Sequence, residues 1–255
     1  MNGEKEPADS SASARRFEIQ GKSLGYPTRF QDGSSAVGLF TVPTSGAQAL
    51  IRESGFEVAE LWPGRAAFSL ACCHYRESDC GVYNEIAMAF FVKPKHGRPS
   101  RIPYLGTWLD IARNHSATHV WKLPVTTQLA NDAGVLMWGF PKTVEVIDFE
   151  VTDGRATFQL RMEDREVLSY SVPATGRRDR PPSASAVYSI YQGAPHVTYL
   201  KNECHEVGLS FGGGRLSLGD HPVAETLRGL GLPRRPLVAT WFGRLSFDVG
   251  APEKL

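Results

Sequence analysis

The chain has 255 residues, of which 42% are hydrophobic and 22% charged, the composition of an ordinary globular protein that can bury a sizeable core. Its 28 basic and 27 acidic residues give a net charge of +1, so neither nucleic acid nor a membrane surface is an expected partner. No apolar run approaches the roughly 20 residues that span a bilayer, and the polar N-terminus lacks the apolar core of a secretory signal. We therefore expect a cytoplasmic protein that binds small molecules or other proteins.

Several common catalytic motifs are not supported. His115 and His119 have an i, i+4 spacing, but neither lies in a predicted helix and no third ligand accompanies them, so no metal site is predicted. The glycine-rich segment 211–215 continues into strand-like sequence and therefore predicts a turn, since a phosphate site needs a following helix. Buried reduced thiols are expected at the cysteines, which have neither disulfide nor zinc spacing: Cys72, Cys73, Cys80 and Cys204.

The first half of the chain begins with strand signals. Strand composition at 37–42 precedes a short capped helix at 45–52. Two apolar segments, 66–75 and 82–92, are joined by a polar turn and predict a β-hairpin. Glu85 lies inside the second segment. Its carboxylate either faces solvent or, if buried, needs a charged or hydrogen-bonding partner.

The middle of the chain leads towards a lysine. Residues 104–113 predict a helix with Trp108 and Leu109 facing inward. A strand is expected at 118–125. The polar residues at 130–134 predict a turn into the segment that carries the lysine.

The last part of the chain has the alternation of strands. An Asp-Gly turn at 153–154 gives the strongest hairpin signal in the sequence. Residues 175–186 predict a polar connection that contains proline. Several strands are expected across 187–249, interrupted by a short helix at 221–230 that Asp220 caps.

Strands outnumber helices, and neither a βαβ alternation nor a long repeat occurs. The predicted fold is therefore mainly β (α+β), one largely antiparallel domain in the form of a barrel or sandwich with a few short helices. Residues 1–16 are polar and have no hydrophobic period, so we expect a disordered tail. The single domain is expected to cover residues 17–255.

A lysine follows a restricted apolar run at 134–142, with the sequence GVLMWGFPK. Pro141 fixes its own φ and pushes Phe140 towards an extended conformation, while Gly139 permits a bend that a side chain would block. The backbone before Lys142 is therefore unusually constrained.

The side chains near this lysine favour nucleophilic chemistry. An ammonium held among Met137, Trp138 and Phe140 would lose hydration, which favours the neutral amine that can attack a carbonyl. Such an amine forms Schiff bases. Most lysines after a strand are solvated surface charges, so the catalytic interpretation of Lys142 depends on its surroundings, with Glu85 as a possible charged companion.

Two motifs resemble those of the acetoacetate decarboxylase-like superfamily. The first is YNEIAMA at 83–89, which is similar to the Y-x-E strand of that family. The second combines DAG at 132–134 with WGFPK at 138–142, and is similar to its G-[FY]-P-K segment. The resemblance extends over most of the chain beyond the tail, although only these two motifs are specific.

The resemblance implies a closed, mainly antiparallel β structure around a buried cavity, in a protein that forms homo-oligomers. It implies that Lys142 forms a Schiff base with a keto acid and that Glu85 lies in the active site. The predicted catalytic residues are therefore Lys142 and Glu85. Neither a cofactor nor a metal is predicted, and the predicted substrate-binding residues are Tyr83, Met137, Trp138 and Phe140.

The chain also departs from the family pattern. Thr143 stands where the decarboxylase has a second lysine, and Val135-Leu136 replaces an Arg-Glu pair. Ser69 occupies the position of a further active-site glutamate. No clear equivalent of an early substrate-binding arginine is found near Gly33. Recognition of a substrate carboxylate therefore differs from the family pattern.

The predicted function is a cofactor-independent Schiff-base lyase that acts on a keto acid or related carbonyl compound. The iminium would serve as an electron sink for breaking or forming an adjacent bond. An aldolase, dehydratase or cyclase reaction on a larger keto substrate, in specialised metabolism, fits the departures better than decarboxylation does. A third alternative is a non-catalytic small-molecule-binding protein that keeps the same cavity.

Overall fold

A computed structural model describes residues 15–93, 104–113 and 116–255. His115 and nearly all of the predicted tail lie outside the described residues, and the first strand begins at Arg16. The helices are α1 (Thr44–Leu50), α2 (Leu105–Ala112), α3 (Gln128–Trp138) and α4 (Pro222–Gly229), with a 3₁₀ turn at Arg52–Ser54. The strands are β1 (Arg16–Ile19), β2 (Lys22–Gly25), β3 (Thr28–Pro43), β4 (Glu60–Trp62), β5 (Arg65–Ser78), β6 (Tyr83–Val92), β7 (Ala117–Val125), β8 (Lys142–Val144), β9 (Val146–Thr152), β10 (Arg155–Met162), β11 (Arg165–Pro173), β12 (Arg178–Tyr191), β13 (Ala194–Ser210), β14 (Arg215–Leu218), β15 (Val238–Val249) and β16 (Glu253–Lys254).

The largest sheet closes on itself. Its strands follow the order β12, β13, β15, β3, β5, β6 and β7, and β7 pairs again with β12. Neighbours around this ring are antiparallel except at the closing pair, where Ala186 lies opposite Ala117 in a parallel register. Strand β8 adds to β7, also in parallel. The prediction of a mainly β fold with a few short helices is confirmed.

A second sheet packs on the outside of the ring. It has the strand order β14, β11, β10, β9. Successive side chains of a strand point to opposite faces, so every second residue of β5 and β6 enters the core between the sheets. These outward residues are large and buried, and include Phe68, Leu70, Ile86, Met88 and Phe90, which pack with Phe158 and Tyr170 of the second sheet. The residues between them face the inside of the ring.

The prediction of a polar connection at 175–186 is wrong for most of its length, because residues 178–186 belong to β12. Pro181 and Pro182 lie where the register of β12 against β13 shifts, between Arg180 and Ser183. A residue at such an irregularity does not have to donate to the ladder, so proline is tolerated there. The strand supplies the ring's closing edge.

The turn predicted at 130–134 is also wrong, because these residues form the middle of α3. The side chain of Thr127 caps the helix by accepting a hydrogen bond from the N–H of Ala130. Gly139 ends it with a φ of 67°, and its N–H donates to the carbonyl of Val135. Both caps, Thr127 and Gly139, can be recognised in the sequence. The turn-forming residues between them do not interrupt the helix.

Two smaller predictions also need correction. The cap of α4 is His221 rather than Asp220, since Nδ1 of His221 accepts the N–H of Val223 at 3.1 Å. Leu109 on α2 is 41% exposed and does not face inward. Trp108 is half-buried: its ring stacks on Trp62, and its Nε1 donates a hydrogen bond to the carbonyl of Leu61.

An apolar cluster closes one end of the ring. Helix α3 contributes Met137 and Trp138 to it, and the β1–β2 hairpin contributes Ile19 and Leu24. Phe30 and Phe247 stack within the cluster, with their ring centroids 4.4 Å apart. The interior of the ring is therefore sealed from solvent at the end where α3 lies.

We predict that Gly139→Ala destabilises the fold more than Gly154→Ala. Both glycines have a positive φ, 67° and 70°, which costs an alanine about 1–2 kcal/mol. A Cβ at Gly139 would also come within 2.6 Å of the carbonyl oxygen of Ile190, whereas nothing lies within 4 Å of a Cβ at Gly154. Urea unfolding should therefore show a larger loss of unfolding free energy for Gly139→Ala, and equal losses would contradict the close packing.

Candidate active site

Lys142 and Glu85 form a buried ion pair. Nζ of Lys142 lies 2.7 Å from Oε2 of Glu85, and their side chains are only 7% and 13% exposed. Glu85 is thus paired and does not face solvent. The two residues are 57 positions apart in the chain, so the fold and not a local motif brings them together.

The strands fix the positions of both charged groups. Glu85 lies on β6 opposite Val125 of β7, and Lys142 begins β8 opposite Leu123 of β7. The aliphatic stem of Lys142 passes directly over Gly134 of α3, where an added Cβ would stand 2.5 Å from Cε. Gly134 therefore leaves the space through which the lysine reaches the carboxylate.

The end of α3, from which the lysine segment departs, is held by three hydroxyl groups. The last carbonyls of a helix have no partner within the helix. Tyr191 donates to the carbonyl of Leu136 at 3.1 Å, Tyr26 donates to that of Met137 at 2.6 Å, and Ser189 donates to that of Trp138 at 2.7 Å. Ser189 and Tyr191 lie on β12 and Tyr26 follows β2, so the helix end is tied both to the large sheet and to the β1–β2 hairpin.

Two phenols hold the carboxylate of Glu85. Tyr75 donates to Oε1 at 3.2 Å and Tyr83 donates to Oε2 at 3.4 Å. Burial raises the pKa of both phenols well above the usual value, and the nearby negative groups raise it further. Both side chains are therefore neutral O–H donors near pH 7. Tyr83 also presents its ring to Lys142, with Nζ 5.4 Å from the centroid.

Cys73 completes the polar group around the pair. It lies opposite Glu85 in the β5–β6 hairpin, and its Sγ donates to Oγ of Ser35 at 3.2 Å. Burial, and after it the charge of Glu85, raise the pKa of this thiol to about 11. Cys73 is therefore an uncharged thiol near pH 7. Sequence reasoning missed Tyr75, Cys73 and Ser35, although the hairpin register places Cys73 directly across from Glu85.

A cavity of about 790 Å³ fills the interior of the ring, and the ion pair lies in its wall. Of the predicted substrate-binding residues, Tyr83, Trp138 and Phe140 also line it, and the last two stack with ring centroids 6.0 Å apart. Met137 does not line the cavity. Its side chain is fully buried in the apolar cluster that closes the ring.

The described residues show no cluster suited to a metal. Within residues 15–93, 104–113 and 116–255, no three His, Cys, Asp or Glu side chains meet in a way that could hold an ion. In the same part of the chain, no helix is long and apolar enough to cross a membrane. All four cysteines are free and buried.

Comparison with known proteins places this arrangement in a family. The family model described as Acetoacetate decarboxylase (ADC) matches residues 17–253, which is most of the chain. The chain belongs to this family. Known members of the acetoacetate decarboxylase family include enzymes. No curated protein sequence matches the chain.

Solved structures with the acetoacetate decarboxylase fold resemble this one across almost their full length. An acetoacetate decarboxylase aligns with a TM-score of 0.61 at 13% identity, covering 91% of this chain and 90% of its own. The acetoacetate decarboxylase of Legionella pneumophila gives 0.60 at 13% identity, covering 90% and 87%. The enduracididine biosynthesis enzyme MppR, solved with the condensation product of pyruvate and imidazole 4-carboxaldehyde, gives 0.53 at 16% identity, covering 91% and 90%. At these identities the likeness concerns the fold.

The departures from the acetoacetate decarboxylase pattern change the charges that line the cavity. Thr143 is exposed, and no second cation of the described residues lies in the cavity wall beside Lys142. Ser69 lines the cavity with a small neutral side chain. The other two cations in the lining, Arg113 and Arg180, are exposed at the cavity's mouth. The ion pair is thus the charged group of the closed end.

We predict that Gly134→Ala breaks the contact between Lys142 and Glu85. The added methyl would occupy the path of the lysine stem, so Nζ should lie more than 4 Å from the carboxylate in a crystal structure of the variant. Overpacking costs about 1–3 kcal/mol, which exceeds the gain of up to about 1 kcal/mol from alanine in a helix.

Gly229→Ala is the matched control for this substitution. Gly229 ends α4, and nothing lies within 4 Å of a Cβ added there. The Gly229→Ala variant should have an unfolding free energy in urea that equals or slightly exceeds that of the unmodified protein. An intact ion pair in Gly134→Ala, with the same unfolding free energy as the control, would show that the groove over Gly134 is not required.

Proposed function

We propose that the protein is a cofactor-independent lyase in which Lys142 forms a Schiff base with the carbonyl group of its substrate. The observation that carries this proposal is the amine of Lys142, held 2.7 Å from a carboxylate in the wall of the cavity inside the ring. An amine that is buried, paired with a proton acceptor and open to a cavity has what imine formation requires. A lysine kept for packing alone would not need this pocket.

Glu85 is the proposed proton acceptor. Its carboxylate takes a proton from the ammonium of Lys142, and the neutral amine then attacks the carbonyl carbon of the substrate. The new C–N bond gives a carbinolamine, whose oxygen leaves as water once it receives a proton back from Glu85. The phenols of Tyr75 and Tyr83 hold the carboxylate in place while its charge changes.

The iminium then draws electrons from an adjacent bond. In a β-keto acid these are the electrons of the bond to the carboxylate, so carbon dioxide leaves and an enamine remains. Protonation at carbon followed by attack of water releases a ketone and restores the amine. Decarboxylation is the reaction proposed first because the chain belongs to the acetoacetate decarboxylase family.

A second candidate is condensation or dehydration of a larger carbonyl compound, as in an aldolase, dehydratase or cyclase. The size of the cavity, about 790 Å³, favours it. MppR, which shares the fold, has been solved with a condensation product of pyruvate and an aldehyde. Both candidates share the imine step, and measurement of carbon dioxide release separates them.

A setting inside the cytoplasm and a homo-oligomeric assembly remain parts of the proposal. The four cysteines are free and buried, which is compatible with a reducing compartment. No second cation among the described residues lies beside Lys142, so the proposed activation of the amine is proton transfer to Glu85.

We predict that borohydride in the presence of pyruvate or acetoacetate fixes an adduct on Lys142. Reduction converts the imine to a stable secondary amine, which mass spectrometry of peptides locates. Lys142→Arg should abolish the adduct, because a guanidinium does not form the imine. Lys122→Arg is the control, since Lys122 lies on β7 but does not line the cavity.

Absence of an adduct on Lys142 would contradict the proposal. A range of carbonyl compounds that leaves Lys142 unmodified would remove both lyase candidates. If Lys142→Ala then keeps the ligand affinity of the unmodified protein, the non-catalytic binding protein is the better description.

We predict that Glu85→Gln slows imine formation about 10²–10⁴-fold, the usual contribution of a positioned acid–base group. The amide can still accept a hydrogen bond from Lys142, but it cannot take its proton. Stopped-flow measurement of imine absorbance, or timed borohydride quenching, gives the rate. Glu150→Gln is the control, because Glu150 is exposed on β9 in the second sheet. An unchanged rate in Glu85→Gln would assign the proton transfer to another group.

A further inference from the structure

The cavity extends far beyond the ion pair. On β6 the inward residues are Tyr83, Glu85, Ala87, Ala89 and Phe91, and all of them line it. From Glu85 to Phe91 the strand advances about 20 Å at ~3.3 Å per residue. A volume of about 790 Å³ lies towards the upper end of the roughly 300–1,000 Å³ of small-molecule sites. A three- or four-carbon keto acid would leave most of this space unfilled.

Small side chains create the space along one wall. Ala71 on β5 lies opposite Ala87 on β6, and Ser69 lies opposite Ala89. All four residues point into the ring and line the cavity. Their neighbours on the same strands, which point outward, are large core residues. The difference between the two faces leaves a smooth channel that starts beside Glu85.

The charges of the lining residues lie at the two ends of this channel. Lys142 and Glu85 occupy the closed end and are paired. Arg113 and Arg180 lie at the opposite end, where they are exposed. Between the ends the described lining residues are uncharged and mostly apolar, and include Val37, Val120, Leu123, Val187, Leu200 and Leu245.

We propose that the substrate is a ketone or aldehyde that carries an extended apolar chain. The carbonyl lies at Lys142 and the chain follows the wall of Ser69, Ala71, Ala87 and Ala89 towards the mouth. This inference rests on the proposed Schiff-base function for the position of the carbonyl. It adds what the rest of the substrate is: a flexible hydrocarbon chain rather than a charged group, because the described lining residues between the two ends carry no charge.

The physical reason is burial of hydrocarbon. Each methylene moved from water to an apolar wall contributes about a three- to fourfold gain in affinity. Lengthening a methyl ketone by four methylenes should therefore strengthen binding about a hundredfold, until the chain reaches the mouth of the cavity.

The test is a series of methyl ketones: acetone, 2-pentanone, 2-heptanone and 2-nonanone. Borohydride trapping on Lys142 at limiting ketone gives the half-saturating concentration of each, with pyruvate as the short polar reference. We expect this concentration to fall about a hundredfold from 2-pentanone to 2-nonanone. Equal concentrations across the series, or a preference for pyruvate, would overturn the inference while leaving the Schiff base intact.

A channel-filling variant locates the chain. Ala89→Leu places a larger side chain in the proposed path, so the preference for 2-nonanone over acetone should fall at least tenfold. Ala184→Leu is the control, because Ala184 is exposed on β12 and does not line the cavity. An unchanged preference in Ala89→Leu, with the variant folded by circular dichroism, would overturn the proposed path.

Calorimetry separates this inference from the function on which it rests. If no carbonyl compound is trapped, the Schiff-base proposal fails. Titration of the same ketones into Lys142→Ala then decides the inference alone: affinity that rises with chain length supports it, and affinity that does not depend on chain length overturns it.

Discussion

The candidate site is arranged around one buried ion pair, that of Lys142 and Glu85. Taking an ammonium and a carboxylate out of water costs several kcal/mol for each ion, and their attraction offsets this cost only when the geometry is good and the remaining polar atoms are satisfied. Here Tyr75 and Tyr83 donate to the two oxygens of Glu85, and the lysine lies in contact with it at 2.7 Å. Even a well-satisfied buried pair adds little net stability compared with apolar residues of similar size, and the proposed role in chemistry gives a reason for a chain to keep it.

The closed ring supplies what the pair requires. Its strands turn one set of side chains outward into a dense core and the other set inward around a cavity, so the rigid wall and the open space come from alternating residues of the same strands. The apolar cluster at the base excludes water beneath the pair. Exclusion of water strengthens every electrostatic interaction inside the site. The hydrogen bonds from the neutral phenols of Tyr75 and Tyr83 therefore have a larger effect on the charge of Glu85 than they would in water.

Much of this could be predicted from the sequence, but not all. The β5–β6 hairpin, the mainly β fold and the two motif segments follow from alternation, turn residues and local constraint. The sequence predicts a turn in place of the middle of α3, because Asn131, Asp132 and Gly134 are turn residues, whereas in the structure the caps at Thr127 and Gly139 define a helix. The strand β12 was missed because its two prolines sit at a register shift that only the partner strand reveals. Tyr75, Cys73 and Ser35 reach the site through pairing across strands, which a single sequence does not display.

The contact between α3 and β12 links the lysine to the topology of the whole chain. Ser189 of β12 donates a hydrogen bond to the carbonyl of Trp138, and Ile190 packs closely against Gly139 at the end of α3. Ser189 and Trp138 are 51 positions apart in the chain. The position of Lys142 beside Glu85 therefore depends on a strand that lies much later in the chain and closes the ring. A fragment that holds both family motifs but ends before β12 would therefore contain the proposed nucleophile without the strand that holds its segment in place.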